Sequence, residues 1–301
     1  MDTNYQKKLS GIFPPCMTIF NDDESIDYDG IIKNIEMYNT TKLRGYMPLG
    51  SNGEFRALTD KESVKVMEVY GKYTPADKTI IAGVMRESAY ATIEFIKQIA
   101  DKRVDFATVL CPHYFAKAMT DDALFAYYTQ IANESPIPVM MYNAPKFAAN
   151  IVFSPDLITR LAPHPNIAGM KDTSGEDIGM YVNAVPDGSN FYVMPGTINK
   201  MFKGLQLGTI GGVVSMANYL PDQCVKLQEL YESGQLEEAA AYDVYVRELS
   251  SNAAGKHGVA GVKAAMDLLG YAGGKPRLPL MALNDEKKAA LKAALEQEGL
   301  L

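Results

Sequence analysis

The chain resolves into short, almost wholly apolar runs separated by longer stretches in which apolar residues recur every three or four positions. The runs are GIFPPCMTIF (11–20), GYMPLGS (45–51), KTIIAGV (78–84), DFATVLCP (105–112), IPVMMYNA (137–144), NIAGMKD (166–172), NFYVMPG (190–196) and GTIGGVVS (208–215), and they predict eight strands. Runs that are apolar throughout, without alternation, fit a parallel sheet covered on both faces. Between them, residues 29–39, 60–73, 88–102 and 121–134 carry the helical period. Thr59 or Asp60, Ser88, Thr120 and Ser154 stand where helix N-caps are expected. Eight strand–helix units ending near residue 225 predict an α/β fold, a (β/α)8 TIM barrel. A doubly wound open sheet is the alternative that periodicity leaves open, although no GxGxxG follows the first strand. From about residue 221 the pattern is helical only. The expected division is a catalytic barrel over 1–225 and a C-terminal helical extension over 226–301.

Composition narrows the function classes. The 301 residues are 47% hydrophobic and carry a net charge of −7 with no basic stripe, so neither nucleic acid nor an anionic membrane surface is an expected partner. The longest apolar runs, such as IPVMMY, are too short to span a bilayer. The opening MDTNYQKKLS lacks the apolar core of a secretory signal. Three cysteines, Cys16, Cys111 and Cys224, lie far apart with no CxxC pair, so neither a disulfide framework nor a metal site is expected. A reducing cytoplasm is the expected compartment.

In such a barrel the chemistry sits where strands end at their C-terminal tips. Polar residues at those tips are Ser51 and Asn52, His113 and Tyr114, Tyr142 and Asn143, Lys171 through Thr173, Thr197 beside Gly196, and Ser215. Lys171 follows the apolar Ile167-Ala168-Gly169-Met170. An ammonium there is costly unless its pKa falls or it is paired, and a lysine of depressed pKa is a nucleophile toward a carbonyl carbon. The alternative is a strand-end lysine that reaches solvent or pairs with Asp172. Tyr142 is either a proton shuttle for an imine or a core tyrosine with its hydroxyl at the rim. Tyr114 has the same two readings, and His113 reads as a polar surface group. The segment Gly50-Ser51-Asn52-Gly53-Glu54 is either a cradle of N–H groups for a carboxylate or a plain βα turn.

GSNGE, CPHY, YNAP and GMKDTSG occur in that order at the ends of strands two, four, five and six, with Tyr142 and Lys171 29 positions apart. This arrangement resembles the dihydrodipicolinate synthase / N-acetylneuraminate lyase superfamily, from GIFPPCMTIF at 11–20 to KPRLPL at 275–280. The resemblance implies a (β/α)8 barrel with a helical C-terminal extension, and a class I aldolase or lyase that forms a Schiff base with pyruvate or a related 2-oxo acid. It makes Lys171 the imine lysine and Tyr142 the proton-handling tyrosine. Ser51 would hydrogen-bond that tyrosine and help hold the substrate carboxylate, with Asn52 beside it. Tyr114 would reach a neighbouring subunit's site. Gly196 and Val214 would line the pocket, and Thr173 would bring a hydroxyl near the substrate. No metal or organic cofactor is implied, and the assembly would be a homotetramer, a dimer of dimers.

Departures bear on the substrate. Phe147, preceded by Lys146, stands where synthases of this family usually carry an arginine for a carboxylate, and the glycine just beyond is Ala149. Thr197-Ile198 replaces the usual acidic pair. GSNGEF, SPIPVMMY, HPNIAGMKD and GGVVSMAN look closer to the 4-hydroxy-2-oxoglutarate aldolase branch. The expected activity is therefore cleavage or synthesis of a small 2-oxo acid such as 4-hydroxy-2-oxoglutarate or a 2-keto-3-deoxy sugar acid. Alternatives are a synthase condensing pyruvate with aspartate semialdehyde and a non-catalytic 2-oxo acid binding protein. Lys146 is read either as a partner for a distal carboxylate or as a solvated loop lysine.

Overall fold

A computed structural model describes residues 4–301. Eight parallel strands form where the apolar runs lie: β1 (Gly11–Phe13), β2 (Gly45–Tyr46), β3 (Thr79–Gly83), β4 (Phe106–Leu110), β5 (Val139–Asn143), β6 (Ile167–Asp172), β7 (Tyr192–Pro195) and β8 (Gly211–Val213). β2 through β7 hydrogen-bond in sequence order and β1 pairs with β8. Backbone bonds from Arg44 N to Ile12 O (2.9 Å) and Met47 N to Pro14 O (3.0 Å) join β1 to β2. β8 abuts β7 so closely that a Cβ on Gly212 would lie 3.0 Å from Pro195 O. The sheet therefore closes on itself into a (β/α)8 barrel, and the open doubly wound alternative is excluded.

The strands are shorter than their apolar runs. Beyond Tyr46 the chain leaves the ladder: Leu49 takes φ 60°, and its carbonyl oxygen would sit 1.9 Å from a Cβ on Gly83. Met47 and Leu49 past β2, and Val84 and Met85 past β3, line the barrel mouth instead of extending the sheet.

Helices fill the intervals as the period predicts, among them Tyr28–Asn39, Asp60–Tyr73, Ala89–Ile99, Asp121–Glu134 and Pro155–Leu161. The hydroxyls of Thr59, Ser88, Thr120 and Ser154 each accept an amide of the first turn, and Thr59 with Glu62 forms a reciprocal capping box. After β8 the helix Pro221–Glu232 completes the ring of strand–helix units, and the helices Leu236–Asn252, Gly258–Leu268 and Asp285–Gln297 follow it as the C-terminal extension. Pro221–Glu232 packs against the sheet, Gln228 donating to Ile210 O at 3.2 Å.

Phe13, Met47, Ile81, Phe106, Met140, Ala168, Met194 and Val213 fill the lumen in one cluster. Tyr5 and Leu9 join that cluster from the helix Tyr5–Leu9, an element the sequence pattern did not predict. Tyr5 meets Phe106 edge-on at 5.6 Å, so this helix stoppers the lower end of the barrel. The upper end is left for chemistry. No helix among the described residues is long and apolar enough to cross a membrane.

Candidate active site

Strand register sets the centre of the site. Tyr142 on β5 stands directly opposite Lys171 on β6, so both side chains leave the sheet on the same face. Ala168, three residues before Lys171, faces the lumen as well, which strict alternation forbids. The register shift between Val139 and Met140 resolves this: Val139 pairs with Ile167, and Met140 pairs with Gly169. The bulge falls at Gly169, where a Cβ would lie 2.1 Å from Tyr192 O. Glycine is thus required two residues before the lysine for β6 to lie against β7.

Lys171 is 3% exposed, its Nζ lies 4.5 Å from the centre of the Tyr142 ring, and it donates to the Met47 sulfur at 3.8 Å. A thioether is a weak acceptor, so this contact does little for the charged form of the amine. Burial pushes its pKa below the ordinary lysine value, and the Tyr142 phenol beside it works in the opposite direction. Asp172 is not the partner of Lys171. It leaves the opposite face of β6, fully buried, and pairs with Lys200. Asn143 Nδ2 donates to Asp172 Oδ1 and to Tyr181 Oη, each at 2.9 Å. Lys200, in the turn after β7, also donates to Glu176 O at 2.7 Å. This polar layer braces the ends of β5 and β6 from behind.

The mouth is formed by the loop after β2. A narrow cavity of about 10 Å³, the room one water needs, is lined by Met47, Leu49, Gly50, Phe55, Gly83, Thr108 and Tyr142. Ser51 Oγ is shut from solvent and has no hydrogen-bond partner, so the expected bond to Tyr142 is not made in this conformation. Such an orphaned hydroxyl calls for a ligand or a rotamer change. Asn52 Nδ2 donates to Ser215 Oγ at 2.7 Å, bridging the β2 and β8 loops. Thr173 is turned toward the backbone, its hydroxyl donating to Asn143 O at 3.1 Å. A Cβ on Gly196 would strike Thr173 Cγ2 at 2.2 Å, and Gly196 N donates to Asp172 O at 2.7 Å, so the ends of β6 and β7 touch. Val214 is fully buried and its N–H reaches Phe13 O at 3.0 Å.

Tyr114 lies outside this group. It is 79% exposed and stands with Phe115, ring centres 5.0 Å apart. Glu87 holds that loop by accepting the amides of His113 and Tyr114, both at 3.1 Å. Lys146 and Phe147 are exposed on the turn after β5, and Ala149 there takes φ 48°. All three cysteines are buried as free thiols. Among the described residues no group of three His, Cys, Asp or Glu side chains is placed to hold a metal ion.

Two features escaped the sequence reading. Met47 faces the lysine from across the lumen, and nothing in a lone methionine signals that. Asp172 reads in the sequence as a polar residue at the tip of its strand or as a partner of Lys171, while its actual partner, Lys200, lies 28 positions away.

The sequence pattern of the dihydrodipicolinate synthetase family matches residues 8–298. An uncharacterised DapA-like lyase of Halobacterium salinarum is 34% identical over 295 residues, covering 97% of this chain and 95% of its own. A 4-hydroxy-tetrahydrodipicolinate synthase of Methanothrix thermoacetophila is 30% identical, covering 95% of each chain. A protein named probable mitochondrial 4-hydroxy-2-oxoglutarate aldolase, from Emericella nidulans, is also 30% identical, covering 96% and 94%. Among solved structures, a monomeric dihydrodipicolinate synthase variant superposes with TM-score 0.92 at 23% identity, over 99% of both chains. YagE of Escherichia coli K12, a prophage protein of the same family solved with pyruvate, superposes with TM-score 0.89 at 27% identity, over 97% and 99%.

Proposed function

Since the chain belongs to the dihydrodipicolinate synthetase family and is a carbon–carbon lyase, we propose that it is a class I aldolase in which Lys171 forms a Schiff base with a small 2-oxo acid. The observation that carries this reading is the Lys171 amine, buried in the lumen against the Tyr142 ring with no carboxylate beside it. Such an amine is neutral at lower pH than an ordinary lysine and keeps its lone pair for a carbonyl carbon.

The amine attacks C2 of the 2-oxo acid. Tyr142 supplies a proton to the carbinolamine oxygen, water leaves, and a protonated imine remains. In the cleavage direction a base takes the proton of the C4 hydroxyl, and the C3–C4 electrons flow into the imine. An aldehyde departs and an enamine stays on Lys171. Protonation at C3 and hydrolysis of the imine release pyruvate. Ser51, with its unsatisfied hydroxyl, and Asn52 hold the substrate carboxylate at the mouth, while Thr173, Gly196 and Val214 shape the wall. Tyr114, projecting into solvent, serves a neighbouring subunit's site in a homotetramer.

The substrate is a 4-hydroxy-2-oxo acid, of the 4-hydroxy-2-oxoglutarate or 2-keto-3-deoxy sugar acid type. Exposed Phe147 offers no cation where a synthase needs one. Condensation of pyruvate with aspartate semialdehyde is the second reading, supported by the 30% identity to a synthase.

The test is borohydride reduction in the presence of pyruvate, followed by peptide mapping. The reading requires a pyruvate adduct on Lys171; an unlabelled protein, or label on another lysine, refutes it. A retro-aldol screen that follows pyruvate release then separates the cleavage substrates, and efficient consumption of pyruvate in the presence of aspartate semialdehyde decides for the synthase.

A further inference from the structure

We propose that Glu54 and Lys263 are positioning residues for the Schiff-base site, a buried ion pair through which the C-terminal extension holds the Ser51–Asn52 loop at the barrel mouth. The inference rests on the function proposed above.

Ser51 and Asn52 belong to a tight turn with little holding it locally. Glu54 closes the turn at φ 54°, a left-handed conformation unusual for a residue with a Cβ. The turn's own backbone bonds run from Glu54 N to Ser51 O at 3.1 Å and from Phe55 N to Gly50 O at 3.4 Å. The fixing force comes from distant chain segments. Glu54 Oε1 lies 2.8 Å from Lys263 Nζ, with the two side chains 1% and 0% exposed. Glu54 Oε2 accepts the Arg277 amide at 2.8 Å.

Lys263 is fully buried, its ammonium 4.5 Å from the centre of the core Phe20 ring. It projects from the helix Gly258–Leu268 and donates to Thr18 O at 2.7 Å and Lys275 O at 3.0 Å. Thr18 in turn donates to Gly53 O at 2.6 Å. The residues on either side of the carboxylate–ammonium contact thus belong to the β1 loop, the β2 loop, the helix and the 275–277 segment. A Cβ on Gly53 would come within 2.9 Å of Cys16 O, so the turn is pressed against the β1 loop with no slack.

A buried ion pair pays a large desolvation penalty, and apolar side chains of similar volume would pack at least as well. Its distinguishing contribution is geometric: the ammonium 2.8 Å from Oε1 and the Arg277 amide bonded to Oε2 fix where the carboxylate sits, and an apolar contact does not. Here those contacts end three residues from Ser51, whose hydroxyl is unpartnered at the mouth. Releasing them lets the turn relax from its left-handed residue and carries Ser51 and Asn52 away from the substrate carboxylate. Lys171 and Tyr142, held on β6 and β5, stay in place.

The experiment compares wild type, Glu54→Gln and the double variant Glu54→Gln/Lys263→Met, which leaves no charge unpaired if the single variant fails to fold. Two quantities are read on folded protein. Amide hydrogen exchange across 51–55, without substrate, should accelerate in the double variant. In borohydride trapping, the half-saturating pyruvate concentration should rise by about tenfold. The trapping rate at saturation should stay within about twofold of wild type. A general loss of folded protein lowers the saturating rate and leaves half-saturation unchanged, and that pattern overturns the proposal. So does a folded double variant with wild-type exchange at 51–55. If wild type itself traps no pyruvate on Lys171, the Schiff-base reading fails, and the exchange measurement alone decides whether the pair holds the loop.

Discussion

Lys171 and Asp172 are consecutive on β6 and face opposite sides of the sheet, so the buried carboxylate neutralises Lys200 and leaves the lumen amine without an anion. Strand alternation alone produces this separation. It also means that Lys171 is held in its site against its own solvation.

Lys171→Met should therefore stabilise the protein while abolishing imine formation. The folded-state pKa of Lys171 lies below its unfolded value of 10.5. Between those two pH values the unfolded chain binds more protons, so wild-type stability rises with pH there. Below both, the full penalty stands. The gain from the methionine should be present in full at neutral pH and shrink as pH climbs through the folded-state pKa toward 10.5. Denaturant melts across pH measure it; a variant less stable than wild type at neutral pH contradicts the assignment.

Tyr142→Phe keeps the ring against Lys171 and removes the hydroxyl. Turnover should fall by about a hundredfold or more, with little change in Tm. Steady-state kinetics beside thermal melts check this, and near-wild-type turnover would remove Tyr142 from the proton transfer.

Gly169→Ala puts a Cβ 2.1 Å from Tyr192 O, a backbone atom that moves only if β6 and β7 part. The cost should be about 3 kcal/mol or more, with loss of pyruvate trapping because the bulge that turns Lys171 inward is disrupted. An alanine variant of wild-type stability would mean that the strands have freedom the register does not suggest.

Ala149→Gly should stabilise. Ala149 holds φ 48°, where a Cβ is strained and glycine is not. The expected gain is about 0.5–1 kcal/mol, read as a higher urea midpoint with unchanged slope. A drop in midpoint would show that the loop prefers the alanine for another reason.

On the acid side, hydrogen bonding to the Arg277 guanidinium holds the Glu62 carboxyl down to about 2. A depressed carboxylate contributes stability above its unfolded value, and that contribution is lost as pH falls through the folded value. Docking of the 275–277 segment onto the helix Asp60–Tyr73 should thus weaken as pH drops from about 4.5 toward 2. Glu62→Gln should flatten that acid slope in stability, and an unchanged slope would place the titration elsewhere.

Much of the architecture was legible beforehand. All eight strands form inside their apolar runs, and the four hydroxyl caps sit where helix starts were expected. The helix Tyr5–Leu9 was missed because five residues carry too little period to read. Strand ends were overextended because the mouth of a barrel is as apolar as its sheet.

Local pattern thus determined which residues become strands, which become helices, and that Tyr142 and Lys171 end adjacent strands. Hydrophobic periodicity and capping act over a few residues, and a chain prints them directly. Closure of the sheet decided the rest. Only when β1 met β8 and β2 did Met47 come to face Lys171 across the lumen, and only docking of the extension brought Lys263 to Glu54. Those contacts join residues far apart in sequence, and burial, which tertiary packing alone creates, gives each of them its electrostatic character.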